Sequence, residues 1–146
     1  MKPKTLKSKF IDWFTWIKKS EFVELKEIDC SEDPVRPELD LEFRTSYGRK
    51  IYGLKYDNKI EGIMCLAFTK DVPHTVRELD LMSKVSYYEK DSDTIIAYTV
   101  WSRKRGAGKK IMEEALKFAK SKGYKRIVTL SPLTPMATHY HIRNGA

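Results

Sequence analysis

The segment Thr94 to Leu130 constrains the fold most. It opens with a run of β-branched and aromatic residues, Thr94 to Ser102, which predicts a strand. The basic glycine turn Arg103-Lys104-Arg105-Gly106-Ala107-Gly108-Lys109 follows. From about Ala107 to Lys122, Ile111, Ala115, Phe118 and Ala119 share one face of a helix, with Glu113 four residues before Lys117 and Gly123 as the stop. Tyr124 to Leu130 then predicts a second strand through Ile127, Val128 and Leu130. A strand-helix-strand unit of this length implies a right-handed crossover between two parallel strands, hence an α/β chain.

The rest of the sequence is read around that unit. Two apolar runs, Ile51 to Tyr56 and Ile60 to Thr69, flank Asp57-Asn58, residues that tolerate positive φ, and predict an antiparallel hairpin. Upstream, Leu6, Phe10, Trp13, Phe14 and Ile17 recur at helical spacing, Phe22 to Ile28 suits a strand, and Leu39 to Tyr47 fits either a strand or a short helix. Pro73 to Met82 predicts a short helix. After Leu130, Ser131-Pro132 breaks the strand, and Thr134-Pro135 predicts a short helix running to Asn144-Gly145.

With 146 residues the chain suits one domain, 1–146, whose N-terminal part, 1–49, carries the weakest pattern. The longest apolar run, Gly62 to Phe68, is far short of a membrane span. MKPKTLKSKF has neither the apolar core nor the cleavage site of a leader. Cys30 and Cys65 are too few for a disulfide framework and predict reduced thiols in a cytoplasmic setting.

Charge narrows the partner. The formal excess is +8, and Trp101 to Arg126 holds ten basic and two acidic residues, which accounts for all of it. That placement calls for an anionic partner. Nucleic acid fits poorly, because aromatics do not interleave with these charges. The glycine turn fits better, since glycines admit a ligand to the backbone and the first amides of the following helix stand unpaired. One helix start contributes about 0.3–2 kcal/mol, whereas micromolar binding needs about 8 kcal/mol, so other contacts must join it. A Walker loop requires different glycine spacing, and a dinucleotide fingerprint requires a third glycine. His139 and His141 have no Cys or carboxylate at ligand spacing, so no metal is expected.

Arg103-Lys104-Arg105-Gly106-Ala107-Gly108 follows the pattern Arg/Gln-x-x-Gly-x-Gly/Ala between a strand and a long helix, and resembles the pyrophosphate motif of the GNAT superfamily of acyl-CoA N-acyltransferases. The order of the elements from Lys50 to Ala146 is similar too. The resemblance implies a mixed central sheet flanked by helices and an acyl-CoA co-substrate, acetyl-CoA or another. Its pyrophosphate would lie on Arg103 to Lys109 and its pantetheine along the strand near Tyr98 to Trp101, with Val100 and Trp101 orienting the thioester. It also implies transfer of an acetyl or other short acyl group to an amine acceptor, with His141, or Tyr140 beside it, protonating the departing thiolate. The family usually has tyrosine where this chain has His141; an unperturbed imidazole still donates a proton at neutral pH. Glu42, Glu61 and Glu78 show no pattern that marks a general base.

A narrower resemblance runs to malonyl-CoA decarboxylase, carried by Val128-Thr129-Leu130-Ser131-Pro132 and His141-Ile142-Arg143-Asn144-Gly145-Ala146. It implies the alternative in which Ser131 and His141 act on a malonyl thioester. The chain departs from that pattern at Leu133-Thr134-Pro135-Met136. An inactive CoA-binding module is the third alternative. Because Ala146 follows directly on the helix-ending glycine, the fold is expected to lack its last strands. Tyr124 to Leu130 would then be an open edge through which the chain forms a homo-oligomer.

Overall fold

The computed structural model describes residues 20–130 and the backbone of 137–141. The aromatic pattern of Leu6 to Ile17, Ser131 and residues 142–146 lie outside them. Six strands form one sheet in sequence order: β1 Glu21–Leu25, β2 Lys50–Tyr56, β3 Lys59–Thr69, β4 Thr94–Ser102, β5 Arg126–Leu130 and β6 Ala137–His141. All neighbours are antiparallel except β4 and β5, which are parallel. The helices are α1 Leu41–Thr45, α2 Val76–Glu89 and α3 Ala107–Ser121. This is the mixed α/β, GNAT-like sheet expected from the sequence.

Local chemistry explains most of these elements. Asp57 and Asn58 both adopt positive φ (51° and 61°) in the β2–β3 hairpin, the conformation such turns require. Asp40 caps α1 through the Phe43 amide, and Thr75 caps α2 through the Glu78 amide. Helix α3 turns Ala107, Ile111, Ala115 and Ala119 onto the sheet, all fully buried, against Leu54, Met64, Leu66, Ile95 and Ile127. The opposite face packs Ile51, Ile63, Cys65, Ile96, Tyr98 and Val128 beneath α2 and the chain segment 28–43.

Four expectations are corrected. Residues 137–141 form a strand where the Thr134-Pro135 signal predicts a helix: the open edge of β5 offers unpaired N–H and C=O groups, and Thr138, His139 and Tyr140 suit a strand that satisfies them. That pairing covers the edge proposed for self-association, so the argument for a homo-oligomer through β5 falls. Helix α2 runs on past Met82 to Glu89, because its buried face there is made of Ser83 and Ser86 while Leu81 and Val85 face solvent. On α3, Glu114 rather than Glu113 pairs with Lys117 (3.4 Å), and also with Lys110 (3.1 Å).

Candidate functional site: a fork between parallel strands

Strands β4 and β5 pair only from Thr94 opposite Arg126 to Ala97 opposite Thr129. Beyond that point β4 continues on β3 alone. The parting coincides with a register shift: Ala97 lies opposite Leu66 and Thr99 opposite Cys65, which leaves Tyr98 as the extra residue of a bulge. A bulge bends its strand, and here it bends β4 where β5 leaves it. A cleft of about 260 Å3 opens between them, lined by Val35, Ala97 to Val100, Met112, Thr129 and Leu130.

The Arg103 amide bonds the Glu61 carbonyl (2.7 Å), one rung beyond the pair Gly62–Ser102. Bonded and non-bonded rungs alternate in an antiparallel ladder. The main-chain groups of Trp101 therefore turn toward β3, and those of Val100 and Ser102 turn toward the fork. Of the two residues expected to orient a thioester, the geometry brings Val100 to the opening and not Trp101.

The glycine turn closes the same end of β4. The Ala107 amide bonds the Lys104 carbonyl (3.0 Å), and the ladder of α3 begins with the Lys110 amide on the Gly106 carbonyl (3.1 Å). The amides of Gly108 and Lys109, in the first turn, have no carbonyl one turn back. Gly106 stands at the cap position with φ 87°, and no side chain caps this helix, unlike α1 and α2. Nothing lies within 4 Å of where a Cβ on Gly106 would be. Ala107 sits directly on β3, 3.6 Å from a Cβ placed at Gly62. Open space over uncapped amides is what an anionic group needs.

The basic side chains differ in their commitments. Arg103 is held by an ion pair with Glu32 and by the Ile60 carbonyl (3.3 Å). The Lys104 ammonium lies 5.0 Å from the Tyr56 ring centre. Arg105 and Lys109 are exposed beside the uncapped amides.

Under the fork, on the face away from α3, lies a polar core that the sequence pattern missed. Arg44 is fully buried and bonds Asp33 (2.9 Å), the Leu39 carbonyl (2.9 Å) and the Arg36 carbonyl (2.7 Å). It also reaches Cys65 Sγ and Thr99 Oγ1, each at 3.4 Å. Arg36 in turn bonds the Tyr98 carbonyl at the bulge (3.1 Å). Two buried donors beside this network, the Tyr98 hydroxyl and Trp101 Nε1, have no hydrogen-bond partner among the described residues. Burial raises Tyr98 well above the ordinary tyrosine pKa, so it stays protonated and can donate. The Cys65 thiol is also raised by burial, against the opposing pull of Thr99 and Arg44.

Strand β6 places the backbone of His141 opposite Arg126 and that of Tyr140 opposite Ile127. Arg126 is paired with Thr94, at the end of β4 remote from the turn. At about 3.3 Å per residue, Ala97, beyond which the strands part, lies roughly 10 Å along β4 from Thr94. The backbone register thus sets His141 and Tyr140 level with Thr94 and Ile95, in the paired part of the sheet before the fork opens. Among the described residues no group of three or more His, Cys, Asp or Glu could hold a metal. None of the described helices is long and apolar enough to cross a membrane.

The fork, the bulge and the uncapped helix define a GNAT-like fold, and solved structures share it. The chain is similar to malonyl-CoA decarboxylase from Agrobacterium vitis (TM-score 0.62, 16% identity, covering 85% of this chain and 36% of that one). It is also similar to the Rhodopseudomonas palustris enzyme (0.60, 19%, 85% and 35%) and to that of Cupriavidus metallidurans (0.53, 17%, 86% and 34%). The chain spans about a third of the length of these proteins. No protein-family model and no curated protein matches it.

Proposed function

We propose that the chain binds an acyl-CoA, with the diphosphate over the amides that open α3 and the pantetheine arm in the fork beside Val100. The observation that carries this reading is the coincidence, at one end of β4, of the parted strands and the uncapped glycine turn. Arg105 and Lys109 supply charge to the diphosphate, and Val100 offers main-chain groups to the arm's amides. These contacts together supply what one helix start cannot.

Two reactions suit a thioester held there. In acyl transfer an amine attacks the thioester carbonyl carbon, the carbon–sulfur bond breaks, and the proton given up by nitrogen ends on the thiolate. Candidates for the donor of that proton are Tyr98, which lines the cleft but whose hydroxyl is buried, and His141 or Tyr140. In decarboxylation of a malonyl thioester the bond to the carboxylate carbon breaks, carbon dioxide leaves, and the resulting enolate takes a proton at carbon. Two observations favour this second reading: the similar solved structures are malonyl-CoA decarboxylases, and Ser131 follows directly on Leu130, which lines the cleft. A chain that binds acyl-CoA without turning it over is the remaining reading.

Incubation with malonyl-CoA, and separately with acetyl-CoA and a mixture of amines, distinguishes them. Carbon dioxide with acetyl-CoA as product identifies the decarboxylase, free thiol that requires an amine identifies the transferase, and binding without either product identifies the module. Failure to bind any acyl-CoA overturns all three. A cytoplasmic location belongs with this reading, since two cysteines, Cys30 and Cys65, are too few for a disulfide framework.

A further inference from the structure

A second and larger concavity, of about 820 Å3, lies at the other end of α3. The helix has 15 residues, so its two ends are separated by roughly 22 Å. One wall of the groove carries Tyr52 against Phe118 (ring centres 5.2 Å apart) and Phe68 against Tyr124 (5.5 Å). The other carries Tyr47, Tyr87 and Tyr88, whose rings meet at 5.4–6.1 Å. Tyr87 and Tyr88 are 53% and 72% exposed, so a large aromatic surface remains open.

The walls are held in place by local structure: Tyr47 (φ 54°) and Gly48 form the turn closed by the Arg49 amide on the Ser46 carbonyl (3.0 Å), and Lys90 (φ 54°) is the left-handed cap that ends α2.

Charge selects the ligand. Lys50, Lys90 and Lys122 line the groove against one carboxylate, Glu24, which Lys50 (3.4 Å) and Lys26 already neutralise. Lys90 and Lys122 have no carboxylate partner among the described residues. The carbonyl ends of α2 and α3 open nearby and together amount to about one negative charge, less than these two ammonium groups supply.

We propose that this groove is a binding site for a small anionic ligand with a planar aromatic ring, the ring lying between the two tyrosine walls and the anion facing Lys90 and Lys122. The volume is in the usual range for small-molecule sites, about 300–1,000 Å3. The site is separate from the proposed acyl-CoA fork and does not depend on that reading.

The test uses the full chain and three fluorescent or aromatic probes: anilinonaphthalene sulfonate, its neutral counterpart N-phenylnaphthylamine, and naphthylmethylammonium. The sulfonate is expected to saturate one site and to bind most tightly, the ammonium least. Replacing Tyr88→Ala and Lys122→Ala together, both exposed, is expected to weaken the sulfonate by about tenfold while thermal melting stays unchanged. Equal binding of all three probes, or unchanged affinity of the sulfonate in the double variant, would each overturn the proposal.

Discussion

Arg44 and Asp33 form an ion pair of 2.9 Å in which neither side chain is exposed to solvent. Asp33 also accepts the amides of Val35 (2.8 Å) and Arg36 (3.0 Å), so one carboxylate folds the segment that Arg44 then fastens beneath the bulge of β4. A buried charge pair of this kind adds little over a well-packed apolar pair, but removing one member leaves the other stranded. Arg44→Met is therefore expected to destabilise the fold by about 3–5 kcal/mol, measured by urea unfolding. Arg44→Met with Asp33→Leu should recover part of that loss; no recovery would mean the carboxylate is not the stranded group.

The turn at the head of α3 allows fold and binding to be separated at Gly108. A Cβ there meets nothing closer than Ser102 Oγ at 3.9 Å. An aspartate in the first turn is also favoured by the helix N-terminus, by about 0.3–1 kcal/mol. Gly108→Asp should thus melt no lower than the parent, yet bind acyl-CoA more weakly, because its carboxylate takes the amides that would face the diphosphate and repels it; alanine, which the motif admits there, should leave binding unchanged. Undiminished binding in Gly108→Asp would place the phosphates elsewhere.

The two thiols should react differently. Cys65 is buried and held protonated by that burial, whereas Cys30 is half-exposed. Iodoacetamide is expected to label Cys30 alone in the folded chain and both residues in urea, read by mass spectrometry. Fast labelling of Cys65 without denaturant would contradict the packing beneath the fork.

Asp93 gives a pH dependence with a definite sign. Burial pushes its carboxyl up, but Thr94, Lys70 (3.3 Å) and Lys125 (3.8 Å) outweigh that and hold it below its ordinary value of 3.8. A lowered folded pKa contributes stability that is complete above the unfolded value and is lost as pH falls through the folded one. Asp93→Asn should accordingly be less stable than the parent at pH 7. The gap should narrow only below about pH 4, as followed by urea unfolding across pH. A gap constant down to the most acid pH would deny Asp93 this role.

What the sequence disclosed follows from where each signal is stored. The unit from Thr94 to Leu130 was legible because its periodicity switches from alternating to helical at a glycine turn, and Asp57-Asn58 announced their own hairpin. Helix α2 was cut short because its sheet-facing side is Ser83 and Ser86 while Leu81 and Val85 are outside, the reverse of the usual pattern. Strand β6 was misread because its cause is the distant edge of β5, whereas Thr134-Pro135 is a local signal. Arg44 and Asp33 looked like solvated charges in a polar stretch; only the fold reveals that they are interior. In the glycine turn the motif identified the loop, but the alternation that turns Val100 and not Trp101 to the fork needed the β3–β4 register.

The central claim is that acyl-CoA occupies the fork and the turn. Calorimetric titration of the full chain with coenzyme A tests it most directly, alongside the variant with Arg105→Glu and Lys109→Glu. The expected result is one saturable site, with affinity at least about tenfold lower in the variant and unfolding of both proteins unchanged. No heat of binding at millimolar coenzyme A, or equal affinity in parent and variant, would contradict the account.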